Sequence, residues 1–391
     1  MSSDPAAVVV AAGFPIRSGG MTRTRVALIG AGFIADIHAE SYHRFVPDAE
    51  VVCVYSRSAE RARAFAAKHA IARWSSDLEA TLAGTDCDVF DICLPNYLHA
   101  RTVIAAAAAG KHVIIEKPLC LTLEEADAMI AACKAHNRKL MYAEELCFAP
   151  KYERVRQLVR EGAVGSIYYM RQCEKHSGPH SDWFYDLNQS GGGALMDMGC
   201  HGFAWFRWML GANAKPLTVY AQMQTGLLHR ARTRCEENSL CLVEFEGGAV
   251  GIVENSWAKL GGMEDRVEVC GDAGVVYADL FMGNSALTYS EKGYGYAMEK
   301  AGATQGWSFT TFEEAFNQGY PQELQHFIAC VRNDLTPVTT GEDGRAVLEM
   351  LNAAYYSARI GRKVSLPFRP KTSKPVDLWL GPADESSTSQ S

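Results

Sequence analysis

A short apolar run that ends in a glycine-rich turn constrains the fold of this chain more than any other segment. The β-rich run RVALIG ends at Gly30, which opens the string GAGFIA and leads into a helix-like stretch. In such a turn the first glycine permits a tight bend, Gly32 lets the backbone approach a pyrophosphate, and the small Ala35 lets the helix pack on the strand. The amino end of the helix then faces the anion. We therefore expect Gly30, Gly32, Phe33 and Ile34 to contact a dinucleotide, with a plain strand-to-helix turn as the alternative.

Apolar runs and helical patterns alternate from this turn to residue 145. The runs include VVCVYS, which begins about twenty residues after Gly30, and then DVFDICL, HVIIEKP and KLMYAEE. Alternation at such short intervals indicates βαβ units and a parallel sheet. Because crossover connections are right-handed, the doubly wound Rossmann arrangement is the leading topology. We predict an α/β Rossmann NAD(P)-binding domain over residues 23–145.

The pattern changes after residue 150, where strand-like segments dominate. One helical pattern, YERVRQLVREG, is followed by segments such as LTVYAQMQTG, SLCLVEFEGG and AVGIVENSWAK, several of which alternate in polarity. These indicate a mostly antiparallel open sheet with one exposed face, followed by two helices. We predict a substrate-binding and oligomerisation α+β domain over residues 146–370. Residues 1–22 are expected to form a disordered extension, and residues 371–391 a disordered tail rich in Ser, Pro and Asp.

Length, charge and cysteine usage bound the class of protein. At 391 residues the chain is too long for one ordinary core and suits two domains. Its net charge of −7 favours neither a nucleic acid nor an anionic membrane as partner, and no run of about 18 apolar residues predicts a membrane span. The 12 cysteines form no CxxC pair, which favours reduced, buried thiols in a cytoplasmic protein over a zinc site or a secreted scaffold.

The end of the second predicted strand bears on the choice of nucleotide. NAD-binding domains usually place an Asp or Glu there to bind the ribose hydroxyls. This chain has Tyr55-Ser56-Arg57-Ser58 instead, and Arg61 follows one helical turn later. Ser56, Arg57 and Arg61 suit a 2′-phosphate, so we expect NADP or NAD, with NADP slightly favoured. The alternative is that Arg57 is a solvated residue that stacks on the adenine.

Three further motifs accompany the glycine-rich turn. They are CLPNYLHA at residues 93–100, Glu116-Lys117-Pro118 at a predicted strand end, and GGGALMDMGCH at residues 191–201. In order and spacing the chain resembles the Gfo/Idh/MocA oxidoreductases, which include glucose–fructose oxidoreductase and inositol dehydrogenase, over about residues 23–368. The resemblance implies a cis Lys117–Pro118 bond and cofactor contacts from Leu94, Pro95, Asn96, His99, Glu116 and Lys117. It also implies a catalytic trio of Lys117, Asp197 and His201, with His201 as the principal acid or base.

The residue types of this trio suit work on an alcohol. Lys117 lies where ligands of open α/β sheets bind, and its ammonium can stabilise developing alkoxide charge. Asp197 and His201 are four apart and would share one face of a helix, so that the carboxylate orients the imidazole for acid–base work. A solvated lysine, a capping aspartate and a core histidine are the alternatives. Many relatives carry an acid three residues after the histidine, where this chain has Ala204, which weakens inferences about substrate contacts.

The polar, aromatic segment EKHSGPHSDWF, residues 174–184, is the other unusual stretch. We predict a substrate loop in which His176, His180 and Trp183 bind and stack on a sugar ring. One alternative is an ordered surface loop without such a role. Another is a metal site formed by His176, His180 and His201; their spacing is not diagnostic, and we predict no metal.

Two adjacent acids end the sixth predicted strand, close to the presumed cleft. Of Glu144 and Glu145, we expect Glu145 to contact the substrate together with Asp197 and His201. Paired carboxylates at strand ends are as often simply solvated, so this alternative stays open.

The resemblance implies reversible oxidation of a secondary alcohol on a sugar, cyclitol or glycoside, with hydride passing to nicotinamide C4. One alternative is an enzyme that keeps its nucleotide bound and uses transient oxidation to drive elimination or glycoside cleavage. Another is a nucleotide-sensing regulator without turnover, because fold resemblance alone does not determine function. The family pattern also implies a sheet face without helices of its own, which predicts a homodimer or homotetramer built sheet to sheet.

Overall fold

The computed structural model describes residues 22–211, 215–282, 286–310 and 313–381. Residues 1–21 of the extension predicted at residues 1–22, and residues 382–391 of the tail predicted at residues 371–391, lie outside the described residues. The first sheet has six parallel strands in the order β3-β2-β1-β4-β5-β6. Its strands are β1 Thr24–Ile29, β2 Ala49–Tyr55, β3 Arg73–Ser75, β4 Val89–Ile92, β5 His112–Glu116 and β6 Leu140–Ala143. The helices between them are α1 Phe33–Phe45, α2 Ala59–Lys68, α3 Leu78–Gly84, α4 His99–Ala108 and α5 Leu123–Ala135.

The strands of this sheet are largely buried on both faces. Every residue of the central strand β4 and of the edge strand β6 is buried, as expected for a doubly wound sheet with helices on both faces. Local signals place the helices: α5, for example, begins at a capping box in which Thr122 and Glu125 bond each other's backbone N–H. The strand order reverses between β1 and β4, so a crevice opens at their carboxyl ends.

The second sheet has seven strands in the order β12-β11-β7-β10-β9-β8-β15, and only β7 and β10 pair in parallel. Its strands are β7 Ile167–Lys175, β8 Pro216–Gln224, β9 Asn238–Phe245, β10 Val250–Ser256, β11 Glu264–Gly271, β12 Gly274–Asp279 and β15 Val364–Ser365. A separate hairpin consists of β13 Ala286–Ser290 and β14 Gly306–Thr310. The helices are α6 Pro150–Arg160, α7 Leu187–Ser190, α8 Cys200–Leu210, α9 Glu314–Gln318, α10 Tyr320–Asn333, α11 Gly341–Ile360 and α12 Asp377–Leu380. The prediction of a mostly antiparallel sheet is confirmed.

One face of the second sheet packs on α8 and α11, and the other has no helix over it among the described residues. Alternation along β9 buries Cys241 and Val243 against the helices and turns Leu240 outward. Leu240, Val275 and Tyr277 on the open face are 48%, 50% and 68% exposed. The open face, defined by these residues and their neighbours on β7–β12, is therefore partly apolar.

Two parts of the chain depart from the predicted organisation. Helix α10, expected within the second domain, packs its Leu324, Phe327 and Ile328 against the first sheet. Residues 371–381 are not disordered: Val376 is fully buried, and α12 packs on α11. The physical reason is the apolar cluster of Val376, Leu378 and Trp379, which joins the core of the second domain despite the polar composition around it.

None of the described helices is long and apolar enough to cross a membrane. All twelve cysteines lie in the described part of the chain, and eleven are buried. They act as small core residues of both domains.

Candidate active site

A cavity of about 430 Å³ lies between the two sheets, at the carboxyl ends of β1, β4, β5 and β6. One end is formed by the first domain, and its lining residues include the predicted nucleotide contacts Gly30, Gly32, Phe33, Ile34, Ser56, Arg57, Arg61, Leu94, Pro95 and Asn96. The other end reaches β6, β7 and α8, and Lys117 lies between the two ends.

The glycine-rich turn is shaped for an anion. Gly30 has φ of 136°, and a Cβ there would lie 2.2 Å from the carbonyl oxygen of Cys93, so only glycine lets β1 and β4 approach this closely. A Cβ at Gly32 would meet no atom within 4 Å, which leaves the space beside the first turn of α1 open. Gly32 caps α1 without a side-chain bond, so the helix N–H groups are free to bind a phosphate oxygen. The turn therefore fits the pyrophosphate of a dinucleotide.

The far end of the nucleotide region is basic. Ser56 is buried, whereas Arg57 is exposed at the cavity edge, and Arg61 and Arg101 also line it. Ser58 is used as the N-cap of α2, where its hydroxyl accepts the N–H of Arg61. The lining carboxylates lie instead toward the second domain.

Two motif residues that the family resemblance assigns to the cofactor serve the framework. His99 is fully buried and does not line the cavity; its ring nitrogens lie 2.8 Å from the carbonyl oxygen of Leu94 and 3.1 Å from that of Pro118. In this geometry His99 holds the loop after β4 against the turn after β5, and a direct cofactor contact from it stays a prediction. Asn96 does line the cavity, and its amide donates to the carbonyl of Ser190 at 2.7 Å.

Glu116 connects Lys117 to a buried cluster of titratable groups. One oxygen of Glu116 accepts the backbone N–H of Lys117 at 3.0 Å, and the other lies 3.1 Å from His38 Nε2. His38 Nδ1 lies 2.9 Å from Asp91. Burial alone would lower the His38 pKa, but the Asp91 carboxylate raises it well above its usual range. An imidazolium thus bridges two carboxylates directly behind the end of β5.

Lys117 extends from the cis Lys117–Pro118 turn into the middle of the cavity. Its Nζ donates to the backbone oxygen of Asp197 at 2.8 Å and to the Asp197 carboxylate at 3.2 Å. Burial would lower the Lys117 pKa, but Asp197 and nearby acids raise it well above its usual range. The side chain is therefore a fixed cation, and the one ammonium hydrogen that Asp197 does not accept remains as a donor at the cavity centre.

Asp197 pairs with Lys117 rather than with His201. Its second carboxylate oxygen accepts the indole N–H of Trp257 at 2.9 Å. Although burial opposes it, the charge of Lys117 lowers the Asp197 pKa to about 2. Asp197 lies in a π-helical turn, Leu195–Gly199, ahead of α8, and no Asp197–His201 hydrogen bond is found among the described residues. The expected orientation of His201 by Asp197 is thus not what the structure has.

Glu144, instead of Asp197, is the carboxyl group that contacts the His201 ring. His201 Nδ1 lies 2.5 Å from Glu144 Oε1, and both side chains are buried. Burial lowers the pKa of His201 to about 4 and raises the pKa of Glu144 to about 8. His201 Nε2 lies toward the cavity, 3.7 Å from Glu145. The sequence placed Glu144 at a strand end but gave no sign that α8 would bring His201 to it.

A buried glutamate holds the glycine-rich run before α8. Glu236 accepts the backbone N–H groups of Gly193 and Leu195 at 2.9 and 3.0 Å, and the hydroxyl of Tyr355 at 2.6 Å. A Cβ on Gly193 would lie 2.1 Å from the backbone oxygen of Glu236, so the run must be glycine here. This arrangement positions the turn that carries Asp197. Both Glu236 and Trp257 were missed by sequence reasoning because they lie outside any motif.

The predicted substrate loop does reach the cavity. His176, His180 and Trp183 all line it. His180 stacks on Phe33, with ring centroids 4.3 Å apart, and its Nε2 lies 2.9 Å from Glu299. His176 is buried, its Nδ1 has no hydrogen-bond partner among the described residues, and burial lowers its pKa to about 4. The loop therefore closes the cavity against the first turn of α1.

Potential metal ligands converge elsewhere. Among the described residues, the groups of side chains close enough to share an ion are His38, Asp91 and Cys93, and Glu144, Cys200 and His201. The alternative set of His176, His180 and His201 is not among them.

A Rossmann crevice, a buried lysine at a strand end and a histidine facing it from a second sheet domain define a nucleotide-dependent oxidoreductase of alcohols. Residues 24–144 match the family model "Oxidoreductase family, NAD-binding Rossmann fold", and residues 152–277 match "GFO/IDH/MocA C-terminal domain". The chain belongs to the Gfo/Idh/MocA oxidoreductase family, which confirms the resemblance seen in its motifs. It is an NAD(P)-dependent oxidoreductase acting on CH–OH groups.

Several known proteins are similar over most of their length. The chain is 29% identical over 352 residues to scyllo-inositol 2-dehydrogenase (NAD(+)) of Bacillus subtilis (strain 168), covering 88% of this chain and 96% of that protein. It is 29% identical over 359 residues to D-glucoside 3-dehydrogenase of Escherichia coli (strain K12), covering 88% and 97%. The crystal structure of GenD2 from gentamicin A biosynthesis in complex with NAD is 31% identical, with a TM-score of 0.84, and covers 92% of this chain and 100% of that one.

Proposed function

We propose that the protein oxidises a secondary alcohol of a sugar, cyclitol or glycoside to the ketone, reversibly, with hydride transfer to C4 of a bound nicotinamide. The observation that carries this proposal is the placement of Lys117 Nζ and His201 Nε2 in one cavity with the glycine-rich turn. The relatives named above act, by their names, on an inositol and on a glucoside, which supports a polyol substrate.

The residues divide the work on the alcohol. Lys117 donates a hydrogen bond to the alcohol oxygen and stabilises the negative charge that develops there, while Asp197 holds the lysine in place. His201 Nε2 accepts the hydroxyl proton, and Glu144 orients the ring through Nδ1. When bound, the nicotinamide supplies the hydride acceptor. In the reverse direction His201 returns the proton.

For the nucleotide we propose NADP. The support is the group of arginines at the far end of the cavity, Arg57, Arg61 and Arg101, together with the absence of an acid from the lining residues described there. The name of the Bacillus subtilis relative and the GenD2 complex give NAD, which sets the competing expectation. Relative kcat/KM values with the two nucleotides decide between them.

We further propose a homodimer or homotetramer built sheet to sheet in the cytoplasm. The support is the open face, where Leu240, Val275 and Tyr277 are half-exposed or more. A second copy presenting the same face would cover these side chains by two-fold symmetry.

A dehydrogenase screen over sugars, cyclitols and glycosides, with both nucleotides, tests the function. Lys117→Met keeps the length and apolar stem of the side chain but removes its charge and donors. We expect hydride transfer to fall by roughly two to three orders of magnitude, the effect of losing one preorganised donor, while the nucleotide still binds. Lys134→Met, on the exposed surface of α5, is the matched control.

Single-turnover kinetics and nucleotide fluorescence separate chemistry from binding. If no polyol is oxidised, or if Lys117→Met turns over at the wild-type rate with normal nucleotide binding, the proposed function is wrong. Reduced nucleotide that forms but never leaves the enzyme would instead indicate transient oxidation.

A further inference from the structure

The substrate end of the cavity contains three buried carboxyl groups that the proposed chemistry does not use. They are Glu145 at the end of β6, Glu174 on β7 and Asp265 on β11, and all three line the cavity. Glu145 is 5% exposed, Glu174 4% and Asp265 fully buried. Isolated buried carboxylates are costly, so their presence together needs a physical reason.

Their arrangement increases this cost. Glu174 and Asp265 are directly opposite each other on the antiparallel strands β7 and β11, where like charges are destabilising. Burial and the neighbouring acids raise the pKa of Glu174 well above its usual range and that of Asp265 to about 8. Burial likewise raises the pKa of Glu145.

The described protein residues satisfy the three groups unequally. Asp265 accepts the hydroxyl of Tyr152 at 2.6 Å, and Glu145 accepts that of Tyr320 at 3.1 Å. One oxygen of each of the three groups nevertheless has no hydrogen-bond partner among the described residues. All three oxygens are unpaired acceptors in residues that are nine-tenths buried or more and line the cavity, and those of Glu145 and Glu174 lie in the two groups nearest His201.

Only one lining cation of the described residues acts on this cluster. Lys117 is hydrogen-bonded to Asp197, and its single charge also favours the ionised forms of Glu145 and Glu174. The other lining cations described, Arg57, Arg61 and Arg101, belong to the nucleotide end. The substrate end therefore carries an excess of negative charge when its carboxyl groups ionise.

We propose that the substrate carries an ammonium group close to the reacting alcohol, as an amino sugar or aminocyclitol does, and that Glu145 and Glu174 bind it. This inference rests on the proposed function, because it concerns the same site. The two glutamates flank the base: His201 Nε2 lies 3.7 Å from Glu145 Oε1 and 4.0 Å from Glu174 Oε2. A cation bound between them lies beside the carbon whose hydroxyl gives up its proton to His201.

Other occupants fit less well. A neutral polyol donates hydrogen bonds to carboxylates but does not offset their charge. A single metal ion needs three or more ligand atoms that converge, and in the described part of the chain Glu145, Glu174 and Asp265 form no such group. An ammonium with three donors matches two carboxylates that each have an unpaired oxygen.

Matched pairs of probes test the inference. Calorimetry measures binding of glucosamine against glucose and N-acetylglucosamine, and of 2-deoxystreptamine against myo-inositol. The enzyme is held with reduced nucleotide so that no oxidation occurs, at a pH where the amines are protonated. We expect the amine of at least one pair to bind roughly 10-fold or more tighter than its neutral counterpart, the effect of a hydrogen bond between charged groups.

Isosteric variants assign the effect to the two glutamates. Glu174→Gln and, separately, Glu145→Gln should remove most of that preference and leave binding of the neutral probe nearly unchanged. Glu246→Gln, in the exposed turn between β9 and β10, makes the same charge change outside the cavity and should preserve the preference. Thermal unfolding of each variant shows that it is folded; if one glutamate variant does not fold, the other carries the test.

The outcomes separate this inference from the proposed function. Preferential amine binding that the glutamate variants abolish supports the inference even if no probe is oxidised, in which case only the proposed function fails. Oxidation of polyols without any amine preference supports the proposed function and overturns the inference. Failure of both amines to bind, or an equal loss for amine and neutral probes in the variants, also overturns it.

Discussion

Replacing Glu144 by Gln should abolish the rise of the oxidation rate near pH 8 and should also lower its maximum. Glu144 and His201 form a buried pair 2.5 Å apart, with the Glu144 pKa raised to about 8 and the His201 pKa lowered to about 4. Between about pH 4 and pH 8 the neutral glutamic acid donates its proton to Nδ1, and the neutral imidazole carries its hydrogen on Nε2. Above about pH 8 the carboxylate accepts the Nδ1–H, and Nε2 becomes free to accept a proton.

The direction of the pH effect depends on which protonation state of His201 Nε2 is required for alcohol oxidation and which for ketone reduction. Alcohol oxidation needs the bare Nε2, so kcat/KM should rise with pH to a plateau above about 8. At pH 6 it should be lower by about 100-fold, a tenfold decrease per pH unit below the pKa. Ketone reduction needs Nε2–H, and its rate should decrease as the pH rises through the same value.

A glutamine cannot lose a proton, but its carbonyl still accepts the Nδ1–H. In Glu144→Gln the rise near pH 8 should therefore vanish, and the plateau should fall by about 10- to 100-fold through loss of a charge-assisted hydrogen bond.

The assay is kcat/KM from pH 5.5 to 9.5 with the best substrate of the screen, with single-turnover rates to isolate hydride transfer. Glu246→Gln is the control for removal of a carboxylate elsewhere, and its profile should match the wild type. If Glu144→Gln keeps the tenfold-per-unit rise toward pH 8, another group titrates, and Glu144 does not position the base.

Three further outcomes are expected. Arg57→Ala should weaken NADP binding by about 10- to 100-fold and NAD binding little, as measured by fluorescence titration, because it removes a charge-assisted phosphate contact; equal, small changes would leave the NADP preference without support. His201→Ala should lower single-turnover hydride transfer by about 100-fold or more and abolish the pH rise, the scale of general base catalysis, whereas normal turnover would exclude His201 as the base. Light scattering at micromolar concentration should give a dimer or tetramer, and Tyr277→Glu on the open face should shift it toward monomer; a monomeric wild type would contradict the sheet-to-sheet assembly.

Most of the fold could be predicted because its signals are local. The turn at Gly30 and the mostly apolar strands of the first sheet can be located without reference to distant residues. Strand β3 could not be predicted, since its three residues, Arg73–Ser75, are too few to show a periodic pattern. The placement of α10 was also beyond the sequence pattern. An amphipathic helix shows which of its faces is apolar but not which sheet that face will cover.

The sequence allowed us to predict that the three key residues lie in one site, but not which residues they contact there. Lys117, Asp197 and His201 do converge on one cavity. The i, i+4 spacing suggested that Asp197 and His201 share a helix face, but Asp197 lies in a π-helical turn, which changes the angular position of residues before α8. The partner that replaces Asp197, Glu144, is 57 residues from His201, and no local pattern indicates a contact at that separation.

The packing of α10 on the first sheet determines how the chain can be divided for engineering. Leu324, Phe327 and Ile328 complete the same cluster as Val26 and Leu28, so a fragment that stops at residue 145 would expose that apolar surface to water. A chimera with a relative should therefore take residues 22–145 and 313–340 from the same parent. The sheet domain that lies between these two segments in the chain is the part that can be exchanged separately. A chimera that exchanges only the amino-terminal segment would combine a helix from one parent with a sheet from the other and should express as insoluble protein.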